Sequence, residues 1–126
     1  MSSAIRTYRD LLVWQKAVDV AVAVLRFSSR LRTPPVYALA DQLRRAALSV
    51  PANIAEGHGR RSRGDYIRFL SIANGSLREP ETHLLIAGKF EAALENEVNG
   101  TLSNTEEVGR MLNGLYIALR RDNSSA

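Results

Sequence analysis

Catalysis needs imidazoles, carboxylates or thiols held at a workable spacing, and this sequence holds few of them. It has no cysteine, so disulfides and thiolate metal ligands are excluded, and its imidazoles are His58 and His83. A di-metal site in a helical bundle needs a Glu-x-x-His step on each of two helices, so that carboxylate and imidazole share a face. Here Glu79 stands four residues before His83, Glu81 stands two before it, and no second such pair exists. A His-Glu-x-x-His zinc motif is absent. Glu56, Asp65, Glu79 and Glu81 have the chemistry of acid–base pairs, but carboxylates among arginines more commonly form ion pairs. The expectation is a protein that is not an enzyme, with no catalytic residue, no metal and no cofactor.

The segment Gly57-His-Gly-Arg-Arg-Ser-Arg-Gly64 is glycine-rich. It lacks the Gly-Lys-Ser/Thr of a phosphate loop and joins two helices, not a strand to a helix. A helix C-cap followed by a flexible turn accounts for its glycines. Its charge is more informative. Arg60, Arg61 and Arg63 fall within four residues, and Arg68 follows one to two turns into the next helix. Helix amides after Ser62 would add partial positive charge where an anion could sit. Arg44 and Arg45 extend this patch if their helix turns them outward. Phosphate contact is one reading of the cluster; a solvated loop, or pairing with a neighbouring subunit's carboxylates, weighs equally. In a ring, several copies would multiply a weak contact by avidity.

The chain has 126 residues, enough for one domain spanning 1–126 with a real core, and a formal net charge of +4. Its only lysines are Lys16 and Lys89, so the basic residues are almost all arginine. The arginine fork suits carboxylates and phosphates, although a bias toward GC-rich codons yields the same composition. The apolar stretch Ala17 to Leu25 is broken by Asp19 and is too short to span a bilayer. The opening residues Met1 to Asp10 lack the apolar region of a signal peptide. A cytoplasmic protein with no membrane partner is expected, in which the sequons at Asn74, Asn99 and Asn123 carry no glycan.

Four periodic segments must position these groups. The first is expected over 10–31. Leu11, Trp14, Val18, Ala21 and Leu25 form a heptad seam, and Val13, Ala17, Val20, Val24 and Phe27 repeat the rhythm on a nearby face. A surface helix of a monomer needs one such stripe; two suggest a helix covered on both sides. Thr33-Pro34-Pro35 separates it from a second helix over 36–56, with Leu39, Leu43, Ala46 or Ala47, Val50 and Ile54 as its apolar face. Pro51 lies inside and predicts a kink. Gln42, Arg45, Ser49, Asn53 and Glu56 form a polar row that is either solvated or partly buried against another helix.

Ser62-x-x-Asp65 has capping-box form and opens a third helix over 63–90, in which Pro80 predicts a kink or break. Glu91 to Thr101, containing Asn99-Gly100, reads as a connection, and Ser103-x-x-Glu106 as a second capping box opening a helix over 104–121. Gly109 and Gly114 inside it predict close helix approach, and Asp122 to Ala126 a polar tail. With no strand-type alternation, the expected fold is all-α, an antiparallel up-down four-helix bundle.

Three stretches also carry a resemblance. Tyr8-Arg-Asp-Leu-Leu-Val-Trp-Gln-Lys-Ala17, Leu43-Arg-Arg-Ala-Ala-Leu-Ser-Val-Pro-Ala-Asn-Ile-Ala-Glu-Gly57 and Phe69-Leu-Ser-Ile-Ala-Asn-Gly-Ser-Leu-Arg-Glu79 resemble motifs of the bacterial four-helix-bundle proteins encoded in 23S rRNA intervening sequences. The likeness spans roughly Tyr8 to Arg120. It implies a bundle that assembles with itself, typically as a homopentamer, with no assigned enzymatic activity. A similar pentamer is the accessory protein of diversity-generating retroelements, which contacts a reverse transcriptase and nucleic acid. By resemblance, the motif residues Gln42, Arg45, Ser49, Pro51, Asn53, Glu56 and Gly57 serve packing or an interface. Pro80 departs from the family's usual Leu. The expected function is a homo-oligomeric scaffold or adaptor that binds nucleic acid, RNA above DNA, through Arg44, Arg45, Arg60, Arg61, Arg63 and Arg68. Its expected partners are itself, RNA or DNA, and a nucleic-acid-processing protein. The rival expectation is a pure protein-interaction module.

Overall fold

The computed structural model describes residues 4–31 and 34–125, apart from the side chains of residues 122–125. Thr33, the first residues Met1 to Ser3 and the Asn123 side chain, all used above, lie outside that description. Five α-helices carry the fold: α1 (Leu12–Ser28), α2 (Pro34–His58), α3 (Arg63–Ser76), α4 (Arg78–Phe90) and α5 (Glu95–Ser125). Short 3-10 turns precede α1 at Tyr8–Asp10 and α5 at Ala92–Leu94, and no strand occurs among the described residues. Only Leu77 separates α3 from α4, and its backbone stays in the right-handed helical region. The two make one interrupted rod, so the chain is an all-α bundle of four rods.

The rods close around one core. α1 packs on α2 and α5, while α3 and α4 each pack on α2 and α5. The set Val13, Ala17, Val20, Val24 and Phe27 is buried; of the other seam Leu11 and Ala21 are buried, Trp14 and Val18 half-buried and Leu25 exposed. The chain thus covers one stripe fully and the other in part. From α2 come Leu43, Ala46, Ala47, Val50 and Ile54; from α3 and α4 come Phe69, Leu70, Ala73, Leu84 and Ala87. Burying each large side chain of this kind contributes about 1.5–3 kcal/mol.

Helix boundaries move where backbone satisfaction outweighs local pattern. Asp10 does not begin α1. It closes a capping box in which the Thr7 hydroxyl accepts from the Arg9 amide and the Asp10 carboxylate accepts from the Thr7 amide. Pro34 and Pro35 occupy the first turn of α2, where the missing amide has no helical partner to lose. Pro80 sits at the third residue of α4 for the same reason, so the interruption falls at Leu77, ahead of the proline. α2 runs unbroken through Pro51.

The largest correction concerns the last rod. α5 begins at Glu95, not near 104, and continues to Ser125, into the segment expected to be a polar tail, whose last residue Ala126 lies outside the described residues. Val98, Thr101 and Thr105 are buried on it. A Cβ at Gly88 of α4 would stand only 3.4 Å from Val98, so packing holds Asn99-Gly100 in the helix. Ser103 and Glu106 are simply exposed positions of that helix. No helix among the described residues is long and apolar enough to cross a membrane.

Candidate nucleic-acid interface

The arginine loop hangs on a tight contact between α2 and α3. A Cβ at Gly57 would fall 2.6 Å from Cβ of Phe69 and 3.3 Å from Cδ1 of Tyr66, so only glycine lets the helices approach this closely. No described glycine has a positive φ, and Gly57 lies inside α2. Close approach therefore replaces the C-cap explanation for this residue. The connection that follows is correspondingly short. The Gly59 amide donates to the Ala55 and Glu56 carbonyls at 3.2 Å, and Arg60 donates to the Gly57 carbonyl at 3.1 Å. The Ser62 hydroxyl then caps α3, accepting from the Asp65 amide at 3.1 Å.

This geometry sorts the arginines into two kinds. Arg60 and Arg68 are held. Arg60 bonds the Glu56 carboxylate at 2.7 Å and its guanidinium carbon lies 4.8 Å from the centre of the Phe69 ring. Arg68 lies 5.0 Å from the same ring and 3.9 Å from the Asp65 carboxylate. Phe69, only 9% exposed, carries both guanidinium groups. Arg61 and Arg63 are exposed and have no ion-pair partner among the described residues.

Two further arginines join this end, and the sequence reading missed them. Arg6 and Arg9 lie on the N-terminal segment organised by Asp10. The Asp10 carboxyl is held below its ordinary range, first by the Thr7 amide, then by the Arg6 amide, and to a smaller degree by the His58 imidazole. The Tyr8–Asp10 turn packs against α2. Arg9 lies 5.5 Å from the Tyr8 ring, which meets Trp14 edge-on at 5.1 Å. The signal was available: Thr7-x-x-Asp10 has the same form as Ser62-x-x-Asp65. His58 meets Tyr66 edge-on at 5.6 Å, and burial pushes the Tyr66 hydroxyl up from its ordinary pKa.

Arg44 and Arg45 do not extend the loop cluster. Arg45 lies thirteen residues before the end of α2 at His58, about 20 Å along the axis from the connection that carries Arg60. The Arg45 side chain is 81% exposed beside Asp41 at 3.4 Å, while Arg44 turns toward α1 and donates to the Ser28 hydroxyl at 3.3 Å. Of the other motif residues, Gln42 and Glu56 are exposed, and Pro51 and Gly57 are buried. Ser49 and Asn53 are half-buried and donate to the Ala46 and Ser49 carbonyls at 2.7 and 2.8 Å. Both side chains thus donate to carbonyls of their own helix.

A cleft of about 520 Å³ between the α3–α4 junction and α5 has Arg78 and Arg110 together with Glu81 and Glu106, so its charges balance. Glu81, 16% exposed, accepts from Arg78 at 3.0 Å and from the buried Thr105 hydroxyl at 2.7 Å. The described residues contain no group of three or more metal-ligating side chains placed to hold an ion.

Residues 9–114 match the family described as 23S rRNA-intervening sequence protein. Among solved structures, the chain is similar to a protein of unknown function from the S23 ribosomal protein family of Bacteroides thetaiotaomicron. The two share 24% identity with a TM-score of 0.77, over 83% of this chain and 98% of the other. This likeness bears on the fold. No curated protein matches the sequence.

Proposed function

Since the chain belongs to the 23S rRNA-intervening sequence protein family, we propose that it acts as a non-enzymatic homo-oligomeric scaffold that binds RNA through the arginine-rich end of its bundle. The observation that carries this reading is the pair Arg61, on the four-residue connection, and Arg63, the first residue of α3, both exposed and without carboxylate partners among the described residues. Arg60 lies on that connection, Arg68 follows in α3, and Arg6 and Arg9 lie on the N-terminal segment whose Tyr8–Asp10 turn packs against α2. Arginine binds phosphate through paired N–H donors, and several such contacts give affinity without catalysis. RNA is preferred to DNA on the ground of family membership.

The test is a salt titration of RNA binding by the wild-type chain and by Arg61→Ala/Arg63→Ala. Each phosphate neutralised contributes about 0.9 to the slope of log K against log salt on a duplex. The double variant is expected to bind more weakly and to lose roughly two such increments, with its helical circular dichroism unchanged. An unaltered affinity and slope would remove the loop from the function. Metal-dependent turnover by the purified protein would overturn the non-enzymatic assignment.

A second reading, a protein-interaction module without RNA, draws on Asp41, Glu56 and Asp65, which already pair with Arg44 and Arg45, Arg60, and Arg68 respectively. Wild-type protein that self-associates yet binds no RNA at low salt would favour it.

A further inference from the structure

We propose that the arginine-rich end grips the sugar-phosphate backbone of double-stranded RNA and does not bind unstacked bases of a single strand; this rests on the RNA-binding function proposed above. Proteins that hold single strands offer aromatic faces on which successive bases stack, whereas duplex RNA is held largely by shape and backbone contacts. At this end of the bundle the aromatic side chains are already engaged. Tyr8 and Trp14 meet edge-on, His58 and Tyr66 do the same, and Phe69 is buried beneath Arg60 and Arg68. Tyr8, Trp14 and Tyr66 also pack against the core. Freeing any of these rings for a base would uncover the junction of α2 with α3 or of the N-terminal segment with α1.

The guanidinium groups support the same conclusion from their rigidity. Arg60 pairs with Glu56 and lies over the Phe69 ring, and Arg68 lies over that same ring. Guanidinium groups gathered on one ring lose less side-chain entropy when they bind. A duplex presents its phosphates in a fixed array. A flexible strand would have to be ordered to meet the guanidinium groups, at a cost the duplex does not incur. Arg61 and Arg63, free to adjust, complete the contact from the connection and the start of α3.

The experiment compares the full chain on a fluorescently labelled RNA duplex, on each of its separated strands, and on a second duplex of scrambled sequence, by anisotropy across a salt series. The two duplexes are expected to bind alike, and either to bind about tenfold more tightly than a strand. Arg60→Lys/Arg68→Lys keeps the charge but loses the planar fork, and is expected to narrow the gap between duplex and strand while its circular dichroism stays native. A strand bound as tightly as the duplex, affinity that follows base composition, or an undiminished duplex preference in the lysine variant would each overturn the inference. Of these, strand preference would leave RNA binding itself standing. Failure to bind any of the four RNAs would overturn both.

Discussion

Gly57 ties the electrostatics of this protein to its packing. It lets α3 approach α2 until the Phe69 Cβ occupies the space a side chain would need, and Phe69 in turn carries Arg60 and Arg68. Gly57→Ala is expected to lower stability by about 1–3 kcal/mol, because the obstructing atom is a Cβ and cannot swing aside. Gly59→Ala is the control, since its new methyl would meet nothing nearer than 3.6 Å. Chemical denaturation of the two variants checks this, and equal midpoints would refute the role assigned to Gly57. Sequence reading placed this glycine in a motif but gave it a turn's explanation. Spacing along one helix carries no information about how near another helix comes. Composition did reveal the exposed arginines of the loop, which need no partner to be recognised.

Among the elements, the apolar period predicted the core faces of α1, α2 and α3 well, because those stripes are long and made of large side chains. It failed on α5. The stretch before Thr101 offers Val98 as its one large buried residue, beside buried Thr101 and Thr105, so its buried face does not look apolar. Asn99-Gly100 then reads as a turn, and only the partner surface at Gly88 shows otherwise. Close approach, expected at both Gly109 and Gly114, occurs at neither in a demanding form. A Cβ at Gly109 would find ordinary contact at 3.5 Å, and one at Gly114 nothing within 4 Å. Gly114→Ala and Gly100→Ala are therefore each expected to stabilise the chain by about 0.5–1 kcal/mol, through helix propensity and a less disordered unfolded state. Thermal and urea unfolding measure this; a loss of stability would mean that these open positions are occupied in solution.

For the molecule as a whole, the unfinished business lies on α1. Leu25 of its second apolar stripe is 37% exposed, and Val22 beside that stripe 39%, the state expected of a helix awaiting cover from outside its own bundle. In the proposed oligomer a second copy supplies that cover. Val22→Glu/Leu25→Glu should then reduce the solution mass measured by sedimentation to that of one chain, while helix content persists; a wild-type chain already monomeric at micromolar concentration would refute the assembly. The loop at the bundle's end bears on a different question, tolerance to change. Adding a residue to a surface connection costs little in closure entropy, since the cost grows only with the logarithm of length. Between His58 and Arg63, however, an added residue would alter the relation of Arg61 and Arg63 to the arginines fixed on Phe69. If that end binds RNA as proposed, the connection tolerates neither a change of length nor the loss of Arg61, whereas Ser62 is required by the fold itself as the cap of α3.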